Sequence, residues 1–193
     1  MPPYVASALS AFRLLVRDYE LLLDYVEPDP ANSLVFSHRT YELLLRACTE
    51  FEALAKGAAI DHRLISEKSK SNIPSLSALL KILDLDSVEV LFLRWTPKPL
   101  SCAPLLGWGN TPHALNWYRA YNDVKHNRSG RFSEASLKNV TEALAACFAL
   151  LLGLRAIKVP LERHAHLPGG RLEIDFPGFQ LAIRVNDDWS VIN

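Results

Sequence analysis

The 193-residue sequence is short of the features that narrow a function quickly: few cysteines, no excess of charge and no long apolar run. Its three cysteines, Cys48, Cys102 and Cys147, are odd in number and far apart, which matches no zinc spacing and suits a reducing cytoplasm. Lys plus Arg and Asp plus Glu each total 21, so the formal net charge is zero and the chain as a whole is not an electrostatic binder of nucleic acid. Any anion site has to be local. The longest apolar stretch, residues 143 to 154, falls short of the ~20 residues that cross a bilayer, and Met1-Pro2-Pro3-Tyr4 offers no basic segment leading into an apolar one. The expectation is a soluble, unexported, cytoplasmic protein without a membrane partner. Phosphate-loop, Rossmann, nucleophile-elbow and zincin strings are absent, as are internal repeats and low-complexity tracts.

What is present is ordinary globular composition, 49% hydrophobic and 22% charged, in a chain sized for one large domain or two very small ones. Global disorder is excluded. Charge is unevenly spread: residues 1 to 93 hold 9 basic and 13 acidic side chains, 94 to 131 hold 6 and 1, and 132 to 193 hold 6 and 7. The middle segment is a basic island, and a solvated loop is the plain explanation that a functional one has to beat.

Val5, Leu9, Phe12, Val16, Tyr19, Leu23 and Val26 recur every three or four residues, predicting a long amphipathic helix that ends at Pro28-Asp29-Pro30. A second helix is expected over about 37 to 59, with Tyr41, Leu44, Leu45, Cys48, Phe51, Ala55 and Ala58 on one face. Two such helices joined by a short turn pack antiparallel. Residues 62 to 74 read as a polar connector before a short helix over about 75 to 83, and 88 to 93 as either helix or strand. A loop from 96 to 110 holds Pro97, Pro99, Pro104, Gly107 and Gly109. Thr111-Pro112 then opens a helix ending near Asn127, and a last long helix, the most buried, is expected from Ser133 with Leu137, Val140, Leu144, Cys147, Leu151 and Leu154 on its stripe.

After Pro160 the period changes to two. Leu172, Ile174 and Phe176, then Phe179, Leu181, Ile183 and Val185, then Trp189 and Val191 describe a three-stranded antiparallel meander with turns at Pro177-Gly178 and Asn186-Asp187-Asp188. So small a sheet needs helices or a partner chain to cover it. The expected fold is therefore mainly α: a bundle of about five helices over residues 1 to 159, with a small C-terminal β-meander over 160 to 193 packed on the bundle or on a partner.

On the helix after Pro112, Arg119, Asn122, Asp123 and His126 fall within one arc of roughly 100°, while Ala114, Trp117, Tyr121 and Val124 take the opposite side. Arg119 and His126, seven residues apart, lie in line two turns from each other, about 10 Å along the axis. Lys125, Arg128 and Arg131 add positive charge beside His126.

This pair, with six residues between its members, resembles the R-x(4–6)-H motif of HEPN-domain proteins, a helical-bundle family of RNA-cleaving toxins, defence effectors and nucleotide-binding modules. The setting is similar as well, because the family's motif comes late in the bundle, just before the last long helix. The similarity extends over residues 4 to 157 as a helix pattern and over 117 to 128 in residue detail. Ala120 stands directly after Arg119, where active members often carry a polar residue. The resemblance implies a metal-independent endoribonuclease or RNA-binding effector of toxin–antitoxin or anti-phage type, a homodimer with two motifs across its axis, and an antitoxin or other protein partner. No cofactor or metal is implied.

Residue chemistry gives those roles content. Cleavage without a metal needs a base for the 2′-hydroxyl, a cation for the charged transition state and an acid for the departing 5′-oxygen. His126 titrates near neutrality and can be base or acid. Arg119 offers a planar fork to phosphate. Asn122 could orient substrate or His126, and Asp123 could fix the imidazole tautomer or form an ion pair; Lys125, Arg128 and Arg131 are the RNA- or phosphate-binding candidates. In the plain alternative Arg119 and Asp123 form a surface pair and His126 sits at a helix end that favours positive charge. A rival function is a non-catalytic module binding a nucleotide or protein through the basic face of residues 125 to 131, and a third is dimerisation through the meander alone.

Other candidates carry less. His164 and His166 would share one face of a strand as a metal pair does, but no third ligand stands nearby. Cys48 and Cys147 read as small core residues, Arg46 and Glu50 as an i,i+4 pair with an interhelical or structural role, and Trp108 and Trp117 as core rather than base-stacking rings.

Overall fold

Pro3 occupies the first turn of helix α1 (Pro3–Leu23), where a missing N–H costs nothing, and the stripe of Val5, Ala8, Phe12, Leu15, Val16, Tyr19 and Leu22 is buried. This computed structural model describes residues 1–86, 88–110 and 114–157 in full, and the backbone of 171–176 and 179–184. Arg94 closes the far end of α1, donating to the Leu23 carbonyl (3.2 Å), to Asp24 Oδ1 (3.0 Å) and to Glu20. A guanidinium there satisfies an orphan carbonyl and suits the negative end of the helix dipole.

Helix α2 (His38–Asp61) starts with a capping box, in which the Ser37 hydroxyl accepts from the Thr40 N–H and the Thr40 hydroxyl accepts from the Ser37 N–H. It runs against α1 so closely that a Cβ on Gly57 would come within 2.5 Å of the Tyr4 ring. The polar connector leads to a 3₁₀ turn at Ile73–Leu76 and the one-turn helix α3 (Leu79–Ile82), so the single short helix expected there is two pieces.

The ambiguous run resolves as strand β1 (Glu89–Phe92), which pairs antiparallel with β2 (Leu100–Cys102) from within the Pro- and Gly-containing loop. β3 (Arg171–Phe176) and β4 (Phe179–Arg184) form the first hairpin of the expected meander, and β4 also pairs antiparallel with β1, in the register Val90 to Ile183. The C-terminal hairpin therefore extends a four-stranded sheet, order β2-β1-β4-β3, that begins inside the helical part of the chain. The expected third strand around Trp189 and Val191 lies outside the described residues.

Helix α4 (Asn116–His126) begins later than the expected Thr111-Pro112 start: Ala114 and Leu115 are non-helical and Leu115 precedes the helix with no side-chain cap, while residues 111 to 113 lie outside the described residues. Asn127 ends it and caps the one-turn helix α5 (Arg128–Arg131) by accepting from the Gly130 N–H at 3.1 Å. The last helix, α6 (Leu137–Gly153), begins later than the expected Ser133, because residues 132 to 134 form a 3₁₀ turn and Ser136 provides the cap. The entry point is fixed by a crossing segment: the Leu137 and Lys138 N–H groups donate to the Val35 and Ser33 carbonyls at 2.8 and 2.9 Å.

As expected, α6 is the most buried helix, and its alanines bring α2 near enough for the Cys147 thiol to donate to the Ala47 carbonyl at 3.1 Å. Polar groups enclosed by α1 and α6 are paired with each other: the hydroxyls of Tyr19 and Thr141 are 2.7 Å apart, and the Trp95 indole donates to Tyr19 at 3.3 Å. Among the described residues no helix is long and apolar enough to cross a membrane.

Candidate functional site

The direction in which α4 presents its side chains is set by its buried face. Trp117, Ala120, Tyr121 and Val124 are 3% exposed or less. The Trp117 ring meets Phe51 edge to face at 4.9 Å while its indole N–H donates to the Pro104 carbonyl at 2.8 Å. Trp108 is likewise buried, donating to the Ile73 carbonyl at 2.8 Å, so both tryptophans are core and neither is a platform for bases. Ala120, which follows the motif arginine, faces the interior, where an unpaired polar group would be costly.

A polar chain pins the same face to α2. Glu52 accepts from the Tyr118 hydroxyl at 2.6 Å and from that of Tyr121 at 3.5 Å, and Lys125 donates to Tyr121 at 3.0 Å with its ammonium 4.9 Å over the same ring. Burial, with the Glu52 contact second, raises the Tyr118 hydroxyl far above its ordinary value, and the bond to Tyr121 raises Lys125, so Tyr118 stays neutral and Lys125 charged at neutral pH.

With that face fixed, Arg119 and His126 both project into solvent. They do not share one cavity. His126 lines an open cavity of about 590 Å³ with His38, Asn127, Arg128, Ser129 and Phe132. Arg119 lines another, of about 500 Å³, with Leu34, Phe36, Asn116, Ser133, Glu134, Ser136, Lys138 and Asn139. Phe132 of the first and Phe36 of the second meet edge to face, centroids 5.7 Å apart.

The other polar members of the arc are half-buried. The Asn122 amide donates to the Tyr118 carbonyl one turn back at 3.0 Å. Asp123 is half-buried, and among the described residues no ion pair joins it to Arg119, so the surface pair of the plain reading does not form. Of the three basic candidates, Arg128 enters the cavity of His126, Lys125 is held on Tyr121, and Arg131 lies 3.9 Å from Glu134. Arg46 reaches across to Asp18 of α1 at 2.6 Å rather than to Glu50. Cys48 and Cys147 are core residues, and His164 and His166 lie outside the described residues.

Arg128 is the most constrained cation of the group. Its Nη2 is 2.9 Å from His38 Nδ1, and its guanidinium carbon lies 4.7 Å from the Tyr41 ring centre and 5.6 Å from that of Phe132. A guanidinium has no acceptor, so Nδ1 accepts and the His38 ring proton sits on Nε2. His38, Tyr41 and Phe132 are the part of the site that sequence reasoning misses. His38 lies 90 residues from Arg128, and its place directly after the capping Ser37 is its only local signal.

One imidazole, one fixed guanidinium and a second imidazole around an open space can bind an anion and exchange a proton with it. No protein-family model, curated protein or solved structure matches the chain.

Proposed function

We propose that the protein is a HEPN-type metal-independent endoribonuclease or RNA-binding effector, in which Arg119 binds a phosphate of the strand and His126 takes the 2′-hydroxyl proton or returns one to the 5′-oxygen. In the reaction the 2′-oxygen bonds to phosphorus as the P–O5′ bond breaks, leaving a 2′,3′-cyclic phosphate and a 5′-hydroxyl. The supporting observation is that Arg119 and His126 are both exposed from one face of α4, each lining an open cavity that holds a further basic side chain. The same reading expects a homodimer and a protein antagonist.

Incubation of the purified protein with total RNA in EDTA tests it. Cleavage with cyclic 2′,3′ ends is expected, and His126→Ala should slow it by about a hundred- to ten-thousand-fold. Arg119→Ala should slow it as well. Full activity in either variant removes the assignment.

A second reading, a non-catalytic module that binds a nucleotide or a protein through residues 125 to 131, is favoured by Asn122, one of whose amide N–H groups is bonded to its own helix. It expects salt-dependent affinity, weakened by Lys125→Ala or Arg128→Ala, with no cleavage under any condition.

A further inference from the structure

Within the reading that the cavity of His126 takes a phosphodiester, we infer that Arg128, held in place by His38, supplies the guanidinium for the phosphate at His126, while Arg119 grips a neighbouring phosphate of the same strand. The ligand class follows: a single strand with at least two consecutive phosphates, rather than a mononucleotide.

The division of labour comes from the two cavities. His126 and Arg128 line one space, and Arg119 lines the other across the Phe36–Phe132 contact, with its Cα about 10 Å up the helix from that of His126. The first cavity is prepared before any ligand arrives. Arg128 is stacked on Tyr41 and Phe132 and donates one N–H to His38 Nδ1, which leaves its other N–H groups to bind phosphate. A guanidinium already ordered loses less side-chain entropy on binding than a free one. With its proton on Nε2, His38 remains a hydrogen-bond donor on the edge away from Arg128. His38 is therefore a positioning residue, acting through Arg128.

Affinity for a fluorescent single-stranded oligoribonucleotide, measured with thermal melts as the folding control, tests this in a double-mutant cycle. His38→Ala and Arg128→Ala should each weaken binding about tenfold, the weight of one charge-assisted hydrogen bond, and the double variant should be no weaker than Arg128→Ala alone. His38→Asn, whose amide oxygen can replace Nδ1 as acceptor, should bind within about threefold of the parent. Arg119→Ala should multiply the loss of Arg128→Ala and lower the slope of affinity on salt by a further unit. Additive losses at His38 and Arg128, or a His38→Asn variant as weak as His38→Ala in a normally folded protein, overturn the inference. Cleavage that depends on His126 but shows no coupling leaves the nuclease reading standing and removes this one; coupling without cleavage does the reverse. Absence of any RNA affinity removes both.

Discussion

The two cavities beside α4 make opposite use of an arginine. In the one at the helix C-terminus, Arg128 is bonded to His38 and stacked on two rings; in the one beside its first turn, Arg119 stands exposed, near Leu34, 74% exposed, and Phe36, 47% exposed. The difference separates a guanidinium held in one geometry from one left to adapt. A side chain of about 2 kcal/mol rotamer entropy that is already fixed can be spent on geometry, whereas a free one contributes mainly charge. Both arginines come from the same short stretch and the same basic island, so composition does not distinguish them. Their surroundings do.

The strongest way to break the comparison is to remove the wall both cavities lean on. Trp117→Ala should cost about 3–5 kcal/mol in denaturant unfolding, because it empties the packing against Phe51 and strands the Pro104 carbonyl, and both cavities should go with it. Arg119→Ala, on the opposite face of the helix, should stay within about 0.5 kcal/mol of the parent. Next comes Glu52→Ala, which leaves the Tyr118 hydroxyl without its acceptor; a loss of about 1–3 kcal/mol is expected by the same measurement.

Conservative replacements sharpen the contrast further. Arg128→Lys should weaken oligoribonucleotide binding about tenfold, since a single ammonium cannot lie over Tyr41, donate to His38 and keep further N–H groups for phosphate as a guanidinium does, and Arg119→Lys should change it about twofold or less. The smallest effect concerns α6. Burial raises the Glu142 carboxyl above its ordinary value, and Lys138, 3.9 Å away, only partly offsets this. A carboxyl with a raised folded pKa is disfavoured once ionised, so that cost is absent below the unfolded value near 4.3 and grows as pH rises through the folded one. Glu142→Gln should therefore raise the melting temperature at pH 7 and not at pH 3.5.

Much of the helical frame is legible in the sequence because it rests on local periodicity: the stripes of α1, α2 and α6 name many of the buried residues, although Leu9, Tyr41, Leu45 and Leu154 are only partly buried and Leu15, Leu43 and Leu54 join the core from beside them. Boundaries are less so. The start of α6 moves from Ser133 to Ser136 because a distant segment, 33 to 35, claims the N–H groups of Leu137 and Lys138, and no local propensity encodes that. The sheet shows the same limit. Alternation announces the C-terminal hairpin, but its pairing with Glu89–Phe92 is a contact between remote stretches that each look self-sufficient. At the candidate site the exposed arc of Arg119 and His126 follows from helix geometry, whereas the separation of these two into different cavities, and the recruitment of His38, depend on how α2 and α5 meet.

The motif is contained in eight consecutive residues, yet the cavity of His126 is assembled from both halves of the chain. His38 comes from the start of α2 and Phe132 from beyond α5, Tyr41 backs the Phe132 ring, and the crossing of residues 33 to 35 over the entry of α6 holds these parts in register. A chain interrupted before residue 132 carries the whole motif but lacks Phe132, the ring that closes this cavity against Phe36 and Tyr41. Completion of that cavity is thus tied to the folding of both segments together, and a partly melted molecule loses its shape before it loses the motif.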